Sequence, residues 1–355
     1  MRKLLLILFI IIGFLCYESS SQSLFWQSTV TDPTGEGVAV DSSGNIYVVG
    51  STSRSIDSQT FVGGTKDVYV MKYSSSGSRL WTRMAGSTST DDGAGIAVDT
   101  VNSFVYITGY AGGTVNSRTF AGGSKDILLM KYDLSGNLQW TRLMGTTGDD
   151  EGFSVAVDGS RNFVYVSGYL SKSFGVQTSI GGEDFMMMKF DDTGSTLWTR
   201  MKGSTSNDRG YAVDLDLTNG FLYSVGYVAG SEDSQSYSGG FDIIIFKYLI
   251  NGDRSWTRMV GGTNNDMAYG VVYDSSSGNL YLTGSTMNSL DSQSTSGGQD
   301  IVIMKYDSSG NRLWTRIVGS GADDVGLAIA VDSLGFVYVG GYAVGINVGA
   351  YVPLK

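Results

Sequence analysis

The chain has 355 residues, with 34 acidic against 24 basic side chains, a net charge of −10 and no histidine. An acidic surface repels phosphate backbones, which excludes a general nucleic-acid binder. The missing imidazole removes the usual general base and the commonest transition-metal ligand.

Residues 1–23 read as a secretory leader. Arg2 and Lys3 precede an apolar run from Leu4 to Leu15, too short to span a bilayer, and polar Glu18, Ser19, Ser20 and Ser21 follow. Cleavage is expected between Cys16 and Ser23. A lipid anchor at Cys16 is disfavoured by the bulky Phe14 and Leu15 before it. The mature chain would then hold no cysteine and rest on packing alone. Fifty glycines, two prolines and 42 aromatic residues describe tight turns between aromatic strands.

All six tryptophans mark one repeat: Trp26, Trp81, Trp140, Trp198, Trp256 and Trp314, spaced by 55, 59, 58, 58 and 58 residues. A fixed period of this length points to a propeller, solenoid or array. Each copy holds four short strand signals, as in Gly95–Asp99, Phe104–Thr108, Asp126–Tyr132 and Leu138–Leu143. Turns such as Asp133-Leu134-Ser135-Gly136-Asn137 join them tightly. Four antiparallel strands per repeat make one propeller blade. The expected fold is all-β, a six-bladed β-propeller occupying residues 24–355.

The phase of the chain sets how that ring would close. Leu24–Thr29 matches a fourth strand, whereas the last copy supplies a first strand at 327–332, a second at 336–339 and a degenerate third at 350–354. The N-terminal strand is therefore expected to complete the last blade, which removes two exposed sheet edges.

The recurring pattern runs through Val38 to Gly50, then Gly63, Gly64 and Asp67, then Met71-Lys72-Tyr73, with counterparts as far as Asp300 and Tyr306. It resembles the bacterial β-propeller repeat family SBBP, with kelch repeats as a second likeness. The resemblance implies an extracytoplasmic propeller and no particular activity.

Three sets of residues carry the functional reading. The tryptophans, repeated in every copy, are expected to pack between blades as structural elements. Asp91, Asp150, Asp208, Asp266 and Asp324 lie ten residues after a tryptophan and are the candidate binding residues of the rim loops. They are expected to cap backbone N–H groups in turns. Ca²⁺ capture is the alternative, not favoured because no copy has the full spacing of a calcium loop, so no cofactor is expected. The third set, Asp67, Asp126, Asp184, Asp242 and Asp300, each precedes a lysine by five residues and reads as structural. Asp214 stands alone where other copies have Ala or Val, and one carboxylate without partners is a poor catalytic centre.

Connections after the second and fourth strands read as long, placing two loop sets on one rim where a rigid scaffold would position them for recognition. The function expected from these features is a monomeric, non-enzymatic scaffold, secreted or in the cell envelope, binding a protein or glycan. The alternatives are a carboxylate-based lyase or glycosidase and a filament or matrix protein.

Overall fold

The computed structural model describes residues 33–343 and, as backbone, three strands closer to the N-terminus. These are β1 (Leu6–Ile10), β2 (Gly13–Tyr17) and β3 (Leu24–Ser28). Every regular element among the described residues is a strand. The chain divides into two compact units, Val30–Lys202 and Gly203–Lys355 with Met1–Thr29.

The first unit holds three four-stranded antiparallel sheets, each ordered as the chain runs. They are β4 (Thr34–Val40), β5 (Ile46–Thr52), β6 (Asp67–Tyr73) and β7 (Arg79–Ala85); then β8 (Asp91–Asp99), β9 (Phe104–Ala111), β10 (Asp126–Asp133) and β11 (Leu138–Met144); then β12 (Asp150–Asp158), β13 (Phe163–Leu170), β14 (Asp184–Asp191) and β15 (Thr196–Lys202). The second unit repeats the pattern twice, with β16 (Arg209–Asp216), β17 (Phe221–Val228), β18 (Asp242–Leu249) and β19 (Arg254–Val260), then β20 (Asp266–Asp274), β21 (Asn279–Thr286), β22 (Asp300–Asp307) and β23 (Arg312–Val318). A two-stranded sheet of β24 (Val325–Val331) and β25 (Val337–Tyr342) follows.

Burial explains the strand sequences. Second and third strands are covered on both faces, so Ile46–Thr52 and Asp67–Tyr73 are buried throughout and are mostly apolar. Fourth strands start exposed, as at Arg79 and Leu80. Within each unit the first strand of a sheet packs on the first and second strands of the sheet before it: β8 on β4 and β5, β12 on β8 and β9, β20 on β16 and β17, β24 on β20 and β21. The apolar core therefore runs between sheets. One cluster joins Tyr47, Val49, Val68 and Val70 to Val105, Ile107, Leu128 and Met130.

Three features differ from the sequence expectation. First strands begin four residues earlier, at Asp91 rather than Gly95, because a bulge between Gly93 and Gly95 lets the ladder continue through the turn-like glycines. The connection after the fourth strand is short, as in residues 86–90, so only the connection after the second strand is long. Lastly, β3 pairs antiparallel with β2, Trp26 opposite Cys16, in a three-stranded sheet with β1. Pairing across a short connection carries the smaller loop-closure cost. The segment expected as its partner, 350–354, lies outside the described residues, as does most of the leader apart from β1 and β2.

Each bulge brings two backbones into close approach. At Gly168 an added Cβ would stand 1.9 Å from the Glu151 carbonyl oxygen, whereas at Gly340 it would meet nothing within 4 Å. Gly168→Ala is expected to cost about 2–3 kcal/mol in urea denaturation by overpacking, with Gly340→Ala close to neutral.

Candidate functional site

The turn between third and fourth strands has its shape set by its own residues. Asp133 Oδ1 accepts the N–H groups of Ser135 (2.9 Å) and Asn137 (2.8 Å), and Oδ2 accepts Asn137 Nδ2 (2.7 Å). Gly136 sits at φ 82°, a conformation that only glycine adopts at little cost. Desolvation works against the Asp133 anion, yet the Asn137 and Ser135 donors outweigh it and lower its pKa. So bonded, the turn directs the Leu134 and Gly136 carbonyls toward the preceding sheet.

Three donors of that sheet meet them. Trp81 Nε1 and Lys72 Nζ both donate to the Leu134 carbonyl, at 3.1 and 3.0 Å, and Arg83 Nε donates to that of Gly136 at 2.6 Å. The same trio recurs on the next turn, where Trp140 and Lys131 donate to Asp192 and Arg142 to Gly194. In the second unit Trp256 and Lys247 donate to Ser308 and Arg258 to Gly310. Strand alternation places Trp81 and Arg83 on one face, and the Arg83 guanidinium lies 5.6 Å from the Trp81 ring centre. Tyr47 contacts the same indole edge-on at 6.0 Å. Trp198 and Trp314 make the matching contacts with Tyr165 and Tyr281. The Trp26 side chain lies outside the described residues.

The candidate rim aspartates open the first strands or stand one residue before them, and Asp91, Asp150, Asp208, Asp266 and Asp324 are each fully buried. Asp150 accepts the Thr146 N–H and hydroxyl and the Ser171 N–H. Asp91 does the same with Ser87 and Gly112. These carboxylates cap loop backbone inside the sheet junction and are not displayed on the rim. Asp214 is held in the same manner, accepting the N–H groups of Leu215 (2.8 Å) and of Tyr273 (2.7 Å) on β20. Burial pushes it up to about 6. It ties two first strands together. Among the described residues no three acidic or cysteine side chains gather as a metal site would require.

The long connections fold back on their own sheets. Asp57 and Ser58, at φ 49° and 63°, form the tip of a tight hairpin closed by an Ile56–Gln59 bridge. Asp57 accepts the Thr82 hydroxyl at 2.5 Å, tying the tip to the fourth strand. Asn116 with Thr141, Asp233 with Thr257 and Asp291 with Thr315 repeat the tie. The sequence signal for this hairpin, Asp-Ser-Gln at 57–59, 233–235 and 291–293, was open to reading but was absorbed into a general polar rim. Beside one tip lies a cleft of about 450 Å³ lined by Asp291, Gln293, Arg312, Trp314, Thr315 and Arg316.

Comparison with known proteins agrees with this architecture. The beta-propeller repeat family SBBP matches residues 28–56, 139–169 and 313–345. Regulatory protein FlaEY of Caulobacter vibrioides is 26% identical over 340 residues, covering 81% of this chain and 34% of the relative. The uncharacterized WD repeat-containing protein L264 of Acanthamoeba polyphaga mimivirus is 23% identical over 367 residues, covering 79% and 26%. The chain thus spans about a third and a quarter of these relatives.

The shared carbonyl makes the tryptophan testable. Trp140→Phe, which keeps a ring but loses the N–H donated to Asp192, is expected to cost about 1 kcal/mol. Trp140→Ala, which also removes contact with Tyr106, is expected to cost about 3 kcal/mol. Urea melts of both variants check the order.

Proposed function

Because the chain is built from beta-propeller repeats of the SBBP family, we propose that it is an extracytoplasmic, non-enzymatic scaffold that holds a protein partner on the hairpin side of its sheets. The observation that carries this reading is the cleft of about 450 Å³ beside the Asp291 hairpin tip. It combines the half-buried Trp314 ring with exposed Arg312 and Arg316, and tryptophan and arginine are the residues that dominate protein interfaces. The tips themselves are exposed at Asp57 and Ser58 yet tied down through Thr82, so they are presented with little ordering cost. The missing histidine and the backbone-bonded aspartates speak for recognition over turnover.

A six-bladed ring belongs to this proposal. Its support is the six tryptophans and the register of β3, in which Trp26 stands opposite Cys16 as Trp81 stands opposite Lys72, each followed by a one-residue shift. β3 thereby has the pairing of a fourth strand. After removal of a leader it would be free to complete the blade that β24 and β25 begin.

A photo-crosslinking residue at Gln293, in protein expressed in its host, tests the reading. The expected outcome is a discrete heterologous protein adduct, with Arg312→Ala, which removes a surface ion pair with Asp291, lowering its yield about tenfold and leaving the thermal midpoint unchanged. Absence of an adduct, with selective retention on a glycan array, would move the rim to carbohydrate; hydrolysis of a polysaccharide would make the protein an enzyme.

A further inference from the structure

Four sheet junctions, two in each unit, repeat one arrangement that rim recognition does not use. Asp67, Asp126, Asp242 and Asp300 open the third strands and are fully buried. Each gives one oxygen to a loop N–H, from Val62, Ala121, Ser238 and Ser296 respectively. The other oxygen, Oδ1, has no hydrogen-bond partner in any of the four. It faces a glycine of the short connection: a Cβ on Gly86, Gly145, Gly261 or Gly319 would stand 2.2, 2.4, 2.1 or 1.7 Å from it. At Gly145 and Gly261 the same point lies 2.9 and 3.0 Å from Oδ2 of the next first strand's aspartate, Asp150 or Asp266. At these two junctions, two buried carboxyl groups from successive sheets therefore flank a position kept free of side chain.

The two members are treated differently. Asp91, Asp150, Asp266 and Asp324 are surrounded by donors: Ser87 and Gly112, Thr146 and Ser171, Gly262 with Thr286 and Asn288, and Ser320. Those hydrogen bonds favour the anion, although burial outweighs them and raises Asp91, Asp150 and Asp266. The third-strand member keeps a bare buried oxygen, which costs free energy unless a donor reaches it. A calcium ion needs six to eight oxygens, and here it would meet one bare carboxylate oxygen and one carboxylate already ringed by donors. A single proton satisfies both members, as when two carboxyl groups share a site.

We propose that each pair binds one proton, carried on Oδ1 of Asp67, Asp126, Asp242 or Asp300 and donated across the glycine to the anionic aspartate of the next sheet, so that mild acidification tightens the junctions. Burial, with the neighbouring carboxylate adding to it, raises Asp126 and Asp242 to about 6 and Asp300 in the same direction. Asp91 rises to about 6 for the same reasons, Asp67 contributing. Asp126 with Asp150 and Asp242 with Asp266 are coupled in this way. Other charges face these sites: Lys66, Asp92, Glu36 and Tyr110 at the first junction, Asp149 and the Lys125–Glu151 ion pair at the second, Asp323 beside Asp324 at the last. Tyr237 lies in the field of both Asp242 and Asp208.

The sign follows from linkage. A carboxyl whose folded pKa is raised contributes stability below that value and loses it as pH rises through about 6. The turn aspartates Asp41, Asp133 and Asp274 are lowered instead, their hydrogen bonds outweighing desolvation. Their contribution is lost only at more acidic pH, below the ordinary aspartate range. Stability should therefore peak on the acidic side of neutrality.

Urea denaturation of the full chain between about pH 5 and pH 8 tests this. The expected result is a midpoint that rises on acidification, with the folding equilibrium gaining about tenfold by about pH 5 for each carboxyl raised to about 6. Asp126→Asn places an amide donor where the proton sits; it should raise the midpoint at about pH 8 and shrink the acid gain. Asp150→Asn, which removes the anion, should lower the midpoint throughout the range. Difference infrared spectra at about pH 6 should show the carbonyl stretch of buried carboxylic acids, weakened in Asp126→Asn. A midpoint that is flat or falls on acidification would overturn the proposal. So would Asp126→Asn lowering the midpoint at about pH 8 while calcium raises that of the parent chain, which would make the ligand a cation.

Discussion

A backbone carbonyl shared by an indole N–H and an ammonium is the contact on which the rest of the structure depends. At the first junction the carbonyl belongs to Leu134 and the donors to Trp81 and Lys72. Such a carbonyl, turned out of its own sheet by an Asx-bonded turn, carries two free lone pairs, and the two donors fill them. The arginine two residues on takes the Gly136 carbonyl while covering the indole face. Sheet–sheet adhesion at the fourth strands is thus directional, whereas at the second and third strands it is apolar, through clusters such as Tyr47, Val49, Val105 and Ile107.

Polar fixation on one side and apolar packing on the other leave each sheet little freedom to slide. The aspartates complete that restraint where the chain passes from one sheet to the next. Asp91 draws in the N–H groups of Ser87 and Gly112, from the connection before it and the strand end beside it. Asp91 N–H in turn donates to the Lys66 carbonyl, which places Asp67 beside it. Short connections of this kind require glycine where two carboxyl groups crowd together.

Much of this was legible in the residues. The tryptophan period, the four strand signals and the Asp-x-x-Gly turns describe the repeated sheets because each depends on local chemistry: alternation, Asx bonding and positive φ at Gly136. The interblade role of tryptophan was also readable, since a ring present in every copy is architectural. What stayed hidden depends on contacts distant in sequence. Asp91 looks like any loop aspartate until the bulge at Gly93 extends its strand and buries it. The five-residue offset of Asp67 and Lys72 is legible in the sequence, whereas the orphaned Oδ1 of Asp67 is not. The partner chosen by Leu24–Ser28 was likewise beyond reach, since one apolar strand resembles another as a ladder partner.

The residue whose carbonyl is gripped differs at every junction, being leucine at 134, aspartate at 192 and serine at 308. Recognition there reads main chain and ignores side-chain identity. A gene encoding such copies can gain, lose or recombine whole units without re-evolving a matching pair of surfaces, because any unit's turn fits any other unit's clasp.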